Sequence, residues 1–167
     1  MMPELTVHVS YGDIKADFTG KDADEVLHAL NSFLVSMIPE LELARKLHLS
    51  YTLRDLAEMF GEYVKLTPEG PRVVVQDPRM SDKQLIALQL VAARIAYELG
   101  RSERDGMVVQ EIEQATALKP KSISSRLSEL TKQNIVERRG ENRTIYYRIT
   151  TYGIGWLSKE LAARARP

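Results

Sequence analysis

Cysteine is absent from this chain of 167 residues, which excludes disulfides, thiol catalysis and cysteine-based zinc sites. No apolar run approaches the roughly 20 residues that a membrane-spanning helix needs. The first ten residues lack the basic start and the apolar core of a secretion signal. We therefore expect a cytoplasmic protein with no membrane partner, and its hydrophobic content of 44% is ordinary for a globular core.

Net charge is also absent, because 23 Lys and Arg balance 23 Asp and Glu. The balance is uneven along the chain. Residues 1–100 carry 10 basic and 15 acidic side chains, a net charge of −5, whereas residues 101–167 carry 13 and 8, a net charge of +5. Such asymmetry predicts a basic contact surface joined to an acidic module.

Signatures of catalysis and of metal binding are missing as well. The three histidines are scattered, without a second ligand at metal-binding spacing: His8, His28 and His48. Acidic residues at 22–25 are explained by a helix start, where acids favour the helix dipole. Residues 19–22 read Thr-Gly-Lys-Asp but lack the upstream glycine of a phosphate-binding loop. We predict that the protein is not an enzyme and binds no metal or cofactor.

The N-terminal residues predict a hairpin followed by a helix. Segments 5–9 and 14–18 alternate apolar and polar residues around a Gly12-Asp13 turn, which indicates two paired strands. Asp22 is placed to cap a helix with an apolar face up to Met37. We expect this helix to stop at Ile38, before Pro39.

Residues 40–76 allow two interpretations. Apolar spacing predicts helices over 41–49 and 53–60, and a hairpin follows in 64–75. Helix, helix and hairpin is the order of a degenerate winged helix, but Asp55 and Glu58 against a single Arg54 make its second helix unfavourable for phosphate. We favour an N-terminal α+β module over 1–76 that contacts a protein, a small molecule or a second copy.

A long apolar helix links this module to the rest of the chain. Ser81 is a plausible cap for residues 82–99, and Gly100 is a natural stop. Apolar residues cover more than half of its circumference, so we expect it to be buried between modules or subunits. The second domain then spans 77–167 and ends in an amphipathic helix at 154–164.

Residues 107–150 predict two short helices and a hairpin. Val109, Ile112, Ala115 and Leu118 form the stripe of a first helix, and Pro120 discourages its continuation. Ile123, Leu127 and Leu130 share one face of a second helix, at about 121–133. Two β-type runs within 135–150 flank Gly140-Glu141-Asn142 and form a basic hairpin.

This stretch resembles the DNA-binding core of winged-helix regulators of the MarR and ArsR kind. Those proteins commonly carry S-T-V-S-x-x-L-x-x-L-x-x-x-G-L-V-x-R, then a wing and L-T-x-x-G. The chain has Ser-Ile-Ser-Ser-Arg-Leu-Ser-Glu-Leu at 122–130, Asn-Ile-Val-Glu-Arg at 134–138 and Ile-Thr-Thr-Tyr-Gly at 149–153. Asn134 replaces the usual glycine, and Asn also tolerates a left-handed helix end. The implied fold class is α+β: a small α+β module, a linking helix and a C-terminal winged helix-turn-helix.

In the fold that is resembled, the turn, the second helix and the wing face DNA. Eight cations lie between 119 and 148 against three acids. The resemblance implies base contacts for Ser122, Ser124, Ser125 and Arg126. It implies phosphate contacts for Lys121 and Lys132, and a wing role for Arg143 with Arg138 or Arg139. Lys119, at the turn, is also a predicted DNA-binding residue.

The leading hypothesis is a homodimeric transcription regulator that binds double-stranded DNA. It requires the cations of 119–148 to gather on one exposed surface. An adaptor that contacts proteins without DNA is the alternative, because folds of this kind are reused. An enzyme hosted by the N-terminal module ranks below both.

Overall fold

The computed structural model describes residues 3–37, 50–74 and 77–165, in which six helices and three two-stranded antiparallel sheets are present. The class is α+β. The chain divides into two compact units, Met1–Leu49 and Ser50–Pro167. None of the helices in the described ranges is long and apolar enough to cross a membrane.

The first unit is a hairpin followed by a helix. Strand β1 (Leu5–Tyr11) pairs with β2 (Ile14–Gly20), and Gly12 takes the left-handed conformation that the tight turn requires (φ +60°). Helix α1 (Ala23–Met37) follows. The Asp22 carboxylate accepts the Glu25 amide hydrogen bond at 2.9 Å, which confirms the predicted cap. The expected stop at Ile38 and Pro39 lies outside the described residues.

The core of this first unit is thin. Phe18 and Phe33 meet with ring centroids 5.3 Å apart. Among the described side chains of 3–37, Val26 is the one apolar side chain that is buried, while Leu27 and Tyr11 are more than half exposed. His8 pairs with Asp17 across the two strands at 2.7 Å, which is a structural role for that histidine.

The second unit contains the remaining elements. They are α2 (Leu53–Phe60), β3 (Val64–Thr67), β4 (Gly70–Val73), α3 (Asp82–Glu98), α4 (Val109–Thr116), α5 (Pro120–Lys132), β5 (Val136–Glu141), β6 (Thr144–Ile149) and α6 (Thr151–Ala165). Ser81 caps α3 through a reciprocal pair of hydrogen bonds with Gln84. Gly100 ends that helix with φ +70°, as the sequence predicted. The helix expected at 41–49 lies outside the described residues.

Helix α3 is the centre of the second unit. It contacts α2, β4, α4, α5, β6 and α6, and eight of its residues are buried. It is therefore as buried as its composition predicted, but elements of its own unit cover it. The apolar face of α6, formed by Ile154, Leu157 and Leu161, is also buried within this unit. Exposed apolar side chains remain at the ends of these helices, Tyr97 on α3 and Tyr152 on α6.

The compact units divide at 49/50, whereas the sequence predicted a boundary at 76/77. Leu56, Phe60 and Val64 belong to the same cluster of buried side chains as α3. The apolar face of α2 thus packs against α3, which lies some 30 residues later in the sequence. The composition of the linker at 77–82, from which the boundary was predicted, carries no information about contacts between residues so far apart in the sequence.

Candidate nucleic-acid interface

Helices α4 and α5 form a helix-turn-helix. Helix α4 ends at Thr116, and Ala117 adopts a left-handed conformation (φ 59°) that turns the chain. Pro120 occupies the first position of α5, where its fixed φ suits a helix start and its missing N–H costs nothing. The first turn of α5 contains no acid and receives no side-chain cap. Its backbone amides, beside Lys119 and Lys121, therefore present positive charge.

Helix α5 has one buried face and one exposed face. Ile123, Leu127 and Leu130 are at most 1% exposed and form the buried face. Opposite them, at spacings of four, three and four residues, lies an exposed stripe: Lys121, Ser125, Ser128 and Lys132. With a rise of 1.5 Å per residue, this outer stripe is about 16 Å long. Small hydroxyl side chains thus lie between two lysines on the side that faces away from the core.

The other serines of α5 flank the outer stripe. Ser124 is exposed beside the turn, and Ser122 is half-buried. Of the four residues predicted to contact bases, Ser125 is therefore the one on the outer stripe itself. Ser128 is the position that the sequence prediction left out, although its spacing from Lys121 and Ser125 marked it as lying on the same face.

Arg126 is held by an ion-pair network. Its guanidinium donates to Glu129 at 3.0 Å, and the ammonium of Lys83 on α3 reaches the other carboxylate oxygen of Glu129 at 2.6 Å. The hydrogen bond from Lys83, with the charge of Arg126, holds the pKa of Glu129 below its usual value. Arg126 is still 40% exposed. Its side chain lies towards Glu129 rather than standing free from the helix.

The wing is a longer hairpin than the sequence indicated. Strand β5 extends to Glu141, which pairs with Thr144, so the turn consists of Asn142 and Arg143 alone. Both have positive φ, 48° and 64°, as a two-residue turn that matches strand twist requires. The turn thus begins two residues later, and ends one residue later, than the predicted turn at 140–142. Arg143 lies at the exposed tip.

Arg138 and Arg139 point to opposite faces of the wing, since neighbouring residues of a strand alternate. Arg138 lies opposite Tyr147 in the register, on the face that carries the buried Val136 and Ile149 at its base. Arg139 lies on the other face and pairs with Glu137 at 3.0 Å. The two arginines therefore do not share one surface.

The base of the wing is tied to the loop before α4. Arg148 donates to Glu137 at 2.8 Å and to Asp105 at 2.9 Å. Burial disfavours the charge of Arg148, but the hydrogen bonds to these carboxylates outweigh it and raise the pKa of the guanidinium. The backbones of Met107 and Tyr147 exchange two hydrogen bonds. Arg148 therefore supports the wing, and its guanidinium is not free to bind a ligand.

The Thr-x-x-Gly motif at 150–153 is structural. The Thr150 hydroxyl donates to the Asn134 carbonyl at 2.6 Å and accepts the Gly153 amide at 2.9 Å. A Cβ on Gly153 would lie 2.1 Å from the Ile135 carbonyl oxygen, so only glycine fits. Asn134 has φ 58°, the left-handed helix end that the sequence predicted for it.

Within the described part of the chain, five of the predicted site cations are exposed and take part in no ion pair: Lys119, Lys121, Lys132, Arg138 and Arg143. Arg126 and Arg139 are paired to acids on their own elements. The predicted single surface of cations is thus present along α5, whereas on the wing the cations lie on two opposite faces.

Comparisons with known proteins do not assign the chain to a family. No family model matches it, and neither does any curated protein. Solved structures that resemble it include the transcriptional repressor BigR from Xylella fastidiosa, at 18% identity over 69% of this chain and 88% of that one, with a TM-score of 0.36. A MarR family protein from Bacillus stearothermophilus is 14% identical over 87% and 78%, with a TM-score of 0.38. A MarR mutant from E. coli complexed with operator DNA is 16% identical over 78% and 76%, with a TM-score of 0.36.

No group of three or more His, Asp and Glu side chains that could hold a metal is present in residues 3–37, 50–74 and 77–165. His48 lies outside these ranges. The exposed residues of α5 and the wing offer positive charge, hydroxyl groups and backbone amides, all of which suit phosphate oxygens and base edges.

Proposed function

We propose that this protein binds duplex DNA through α5 and the wing, as a transcription regulator without enzymatic activity. The outer stripe of α5 carries the proposal. Lys121 and Lys132 stand about 16 Å apart, by the helical rise, with Ser125 and Ser128 between them. An α-helix fits the major groove of DNA, which is about 12 Å wide. Serines allow close approach to the bases while the lysines reach phosphates on either side.

Arg126 would read a base after leaving Glu129. A guanidinium makes a bidentate hydrogen-bonded contact with guanine, and breaking one exposed ion pair costs little because such pairs contribute only about 0–1 kcal/mol. Lys119 would contact a phosphate at the start of α5, with Ser122 and Ser124 at the edge of the contact. Arg143, at the wing tip, with Arg138 or Arg139, would add sequence-independent affinity.

An adaptor that contacts other proteins is the second candidate. Glu129 and Glu137 lie on the same elements as the proposed cations and neutralise Arg126 and Arg139, and the chain has no net charge. A surface of mixed charge suits a protein partner whose own surface carries both acidic and basic side chains. Salt distinguishes the candidates, since the logarithm of DNA affinity falls linearly with the logarithm of salt concentration.

The test combines selection from random duplex DNA with a charge-removal variant. The double variant Lys121→Ala, Lys132→Ala should make the negative slope of log affinity against log salt less steep, by about two units. Arg72→Ala with Lys159→Ala removes the same charge from exposed cations of β4 and α6, and it should leave the slope unchanged. Absence of measurable duplex binding by the wild type at low salt would instead favour the adaptor.

We also propose a cytoplasmic homodimer, because one winged-helix unit presents one reading helix. A dimer would place two such helices about 34 Å apart, one DNA turn, and select a two-fold symmetric site. Since the apolar faces of α3 and α6 are buried within their unit, the dimer contacts would come from other surfaces, including residues 1–76. Light scattering on the full chain should give twice the monomer mass, and selected sites without two-fold symmetry would count against the dimer.

A further inference from the structure

A groove of about 670 Å³ lies between α2, β3 and the C-terminal end of α3. Its size falls within the range of about 300–1,000 Å³ that is usual for small-molecule sites. Leu56, Phe60, Val64 and Ile95 line it and are almost fully buried. The groove therefore has an apolar floor that belongs to the core of the second unit.

Three leucines at the rim of the groove remain in contact with solvent. Leu66 is 67% exposed, Leu53 37% and Leu99 36%. They come from three different elements, β3, α2 and the end of α3, and all line the same groove. Apolar side chains that gather around a depression mark a binding surface more often than isolated exposed leucines do.

The charged residues that line the groove are both cations, Arg54 and Lys65. Asp55, the acid next to Arg54, does not line the groove, and its carboxylate accepts hydrogen bonds from the backbone and hydroxyl of Thr52. Lys65 donates to the carbonyl of Gly61. In the part of the chain that the structure describes, neither cation pairs with a carboxylate. Besides the hydrogen bonds from Thr52, the charge of Arg54 helps to lower the pKa of the Asp55 carboxylate, but Asp55 is not part of the groove lining. The groove thus combines apolar walls with charged lining residues that are all cations.

We propose that this groove binds a small amphipathic carboxylate, with its apolar body on the leucine-lined floor and its anionic group between Arg54 and Lys65. Charge complementarity selects this class of ligand over a neutral or cationic one. The apolar floor selects it over a fully polar anion such as phosphate. The site does not involve α5 or the wing, so it is independent of the proposed DNA contact.

Decanoate, used below the concentration at which it forms micelles, is the probe. Calorimetric titration of the full chain should show saturable binding of one molecule. Decanol, which has the same chain without the charge, should bind more weakly by about fivefold or more. Decyltrimethylammonium should not bind measurably. Equal binding of all three compounds, or no binding of decanoate, would overturn the proposal.

Two variants locate the site. Leu66→Ser should weaken decanoate binding about tenfold, because it removes an apolar contact. Arg54→Gln with Lys65→Gln should weaken it by about fivefold or more and abolish the preference over decanol. Leu27→Ser and Arg72→Gln change an exposed leucine and an exposed arginine that do not line the groove, and these variants should bind decanoate like the wild type.

A protein partner is the competing occupant of such a groove, and mass measurement distinguishes it. The ligand-free wild type and Leu66→Ser should have the same mass by light scattering. If Leu66→Ser instead lowered the mass of the assembly, the groove would be a contact between copies of this chain, and the ligand proposal would be rejected.

Discussion

Two segments of the second unit have the same order of elements and different surfaces. In α2–β3–β4 and in α5–β5–β6, a helix is followed by an antiparallel hairpin, and both helices pack on α3. Helix α2 starts with a capping box between Thr52 and Asp55, so an acid occupies its first turn. Helix α5 starts with Lys119 and Pro120 and has no acid there. The same local architecture therefore places an acid beside Arg54 at the start of α2, but only cations at the start of α5.

The two hairpins also differ, in the length of their strands and in the residues of their turns. Strands β3 and β4 have four residues each and are joined through Pro68 and Glu69. Strands β5 and β6 have six each and end in the Asn142-Arg143 turn. The two segments share their order of elements, so that order does not distinguish them. The distribution of charge does distinguish them, and for this reason we take α5 rather than α2 as the candidate reading helix.

Removing the support of the wing should have the largest effect on this contrast. Gly153→Ala places a Cβ against the Ile135 carbonyl, with no flexible side chain to yield. We expect the free energy of unfolding to fall by about 3 kcal/mol, the upper end for an overpacked site. Gly140→Ala, where a Cβ meets no atom within 4 Å, is the control and should be close to neutral. Denaturant unfolding of both variants measures this, and equal midpoints would contradict the structural role of Gly153.

The base-reading role of Arg126 should give the next largest effect. Arg126→Ala should weaken binding to the selected DNA site by about 1–3 kcal/mol and binding to random duplex much less. The control is Arg94→Ala, which removes an arginine from a similar ion pair with Glu98 on α3. Fluorescence anisotropy on both DNAs gives the four affinities. Equal losses on selected and random DNA would assign Arg126 to phosphate rather than to a base.

Glu129 should restrain the interface, with a smaller effect of opposite sign. Glu129→Gln releases Arg126 and Lys83 and removes a negative charge from α5, so duplex affinity should rise by about twofold to fivefold. Glu58→Gln makes the same change on the exposed surface of α2 and should alter affinity less. A fall in affinity for Glu129→Gln would mean that the ion pair positions Arg126 for binding.

The smallest effect is a pH dependence shared by both segments. Hydrogen bonds with Arg148 lower the pKa of Glu137, and those with Thr52 lower the pKa of Asp55. A carboxylate with a lowered pKa stabilises the fold above its ordinary value, 4.5 for Glu137, and that contribution is lost as pH falls through the folded-state pKa. Thermal unfolding from pH 7 to pH 3 should show a shallower loss for Glu137→Gln and for Asp55→Asn than for the wild type. Curves parallel to the wild type would exclude these contributions.

Much of the fold followed from local patterns in the sequence. The hairpin at 5–20, the caps at Asp22 and Ser81 and the stop at Gly100 were predicted from residue types whose backbone preferences are strong. The buried stripe of Ile123, Leu127 and Leu130 followed from helical spacing. These features depend on neighbours within a few residues, so the chain carries their signal locally.

The candidate site was less predictable. The sequence indicated which cations lie near α5 and the wing, but not that Lys83, 46 residues before Glu129, would pair with Glu129 and help to hold Arg126 in place. It also left open whether Arg138 or Arg139 joins Arg143 on the wing, and the strand turns these two arginines to opposite faces. The wing turn begins two residues later than predicted, because Gly140 and Glu141 belong to β5.

The sequence by itself determined the two helices with their intervening turn and the basic hairpin, because helix periodicity and turn chemistry each demand particular residues at short spacing. Only the tertiary structure decided that α3 is enclosed by its own unit, that residues 50–74 share its core, and which cations remain unpaired. Those outcomes depend on contacts between residues distant in sequence, and burial and ion pairing act through space rather than along the chain.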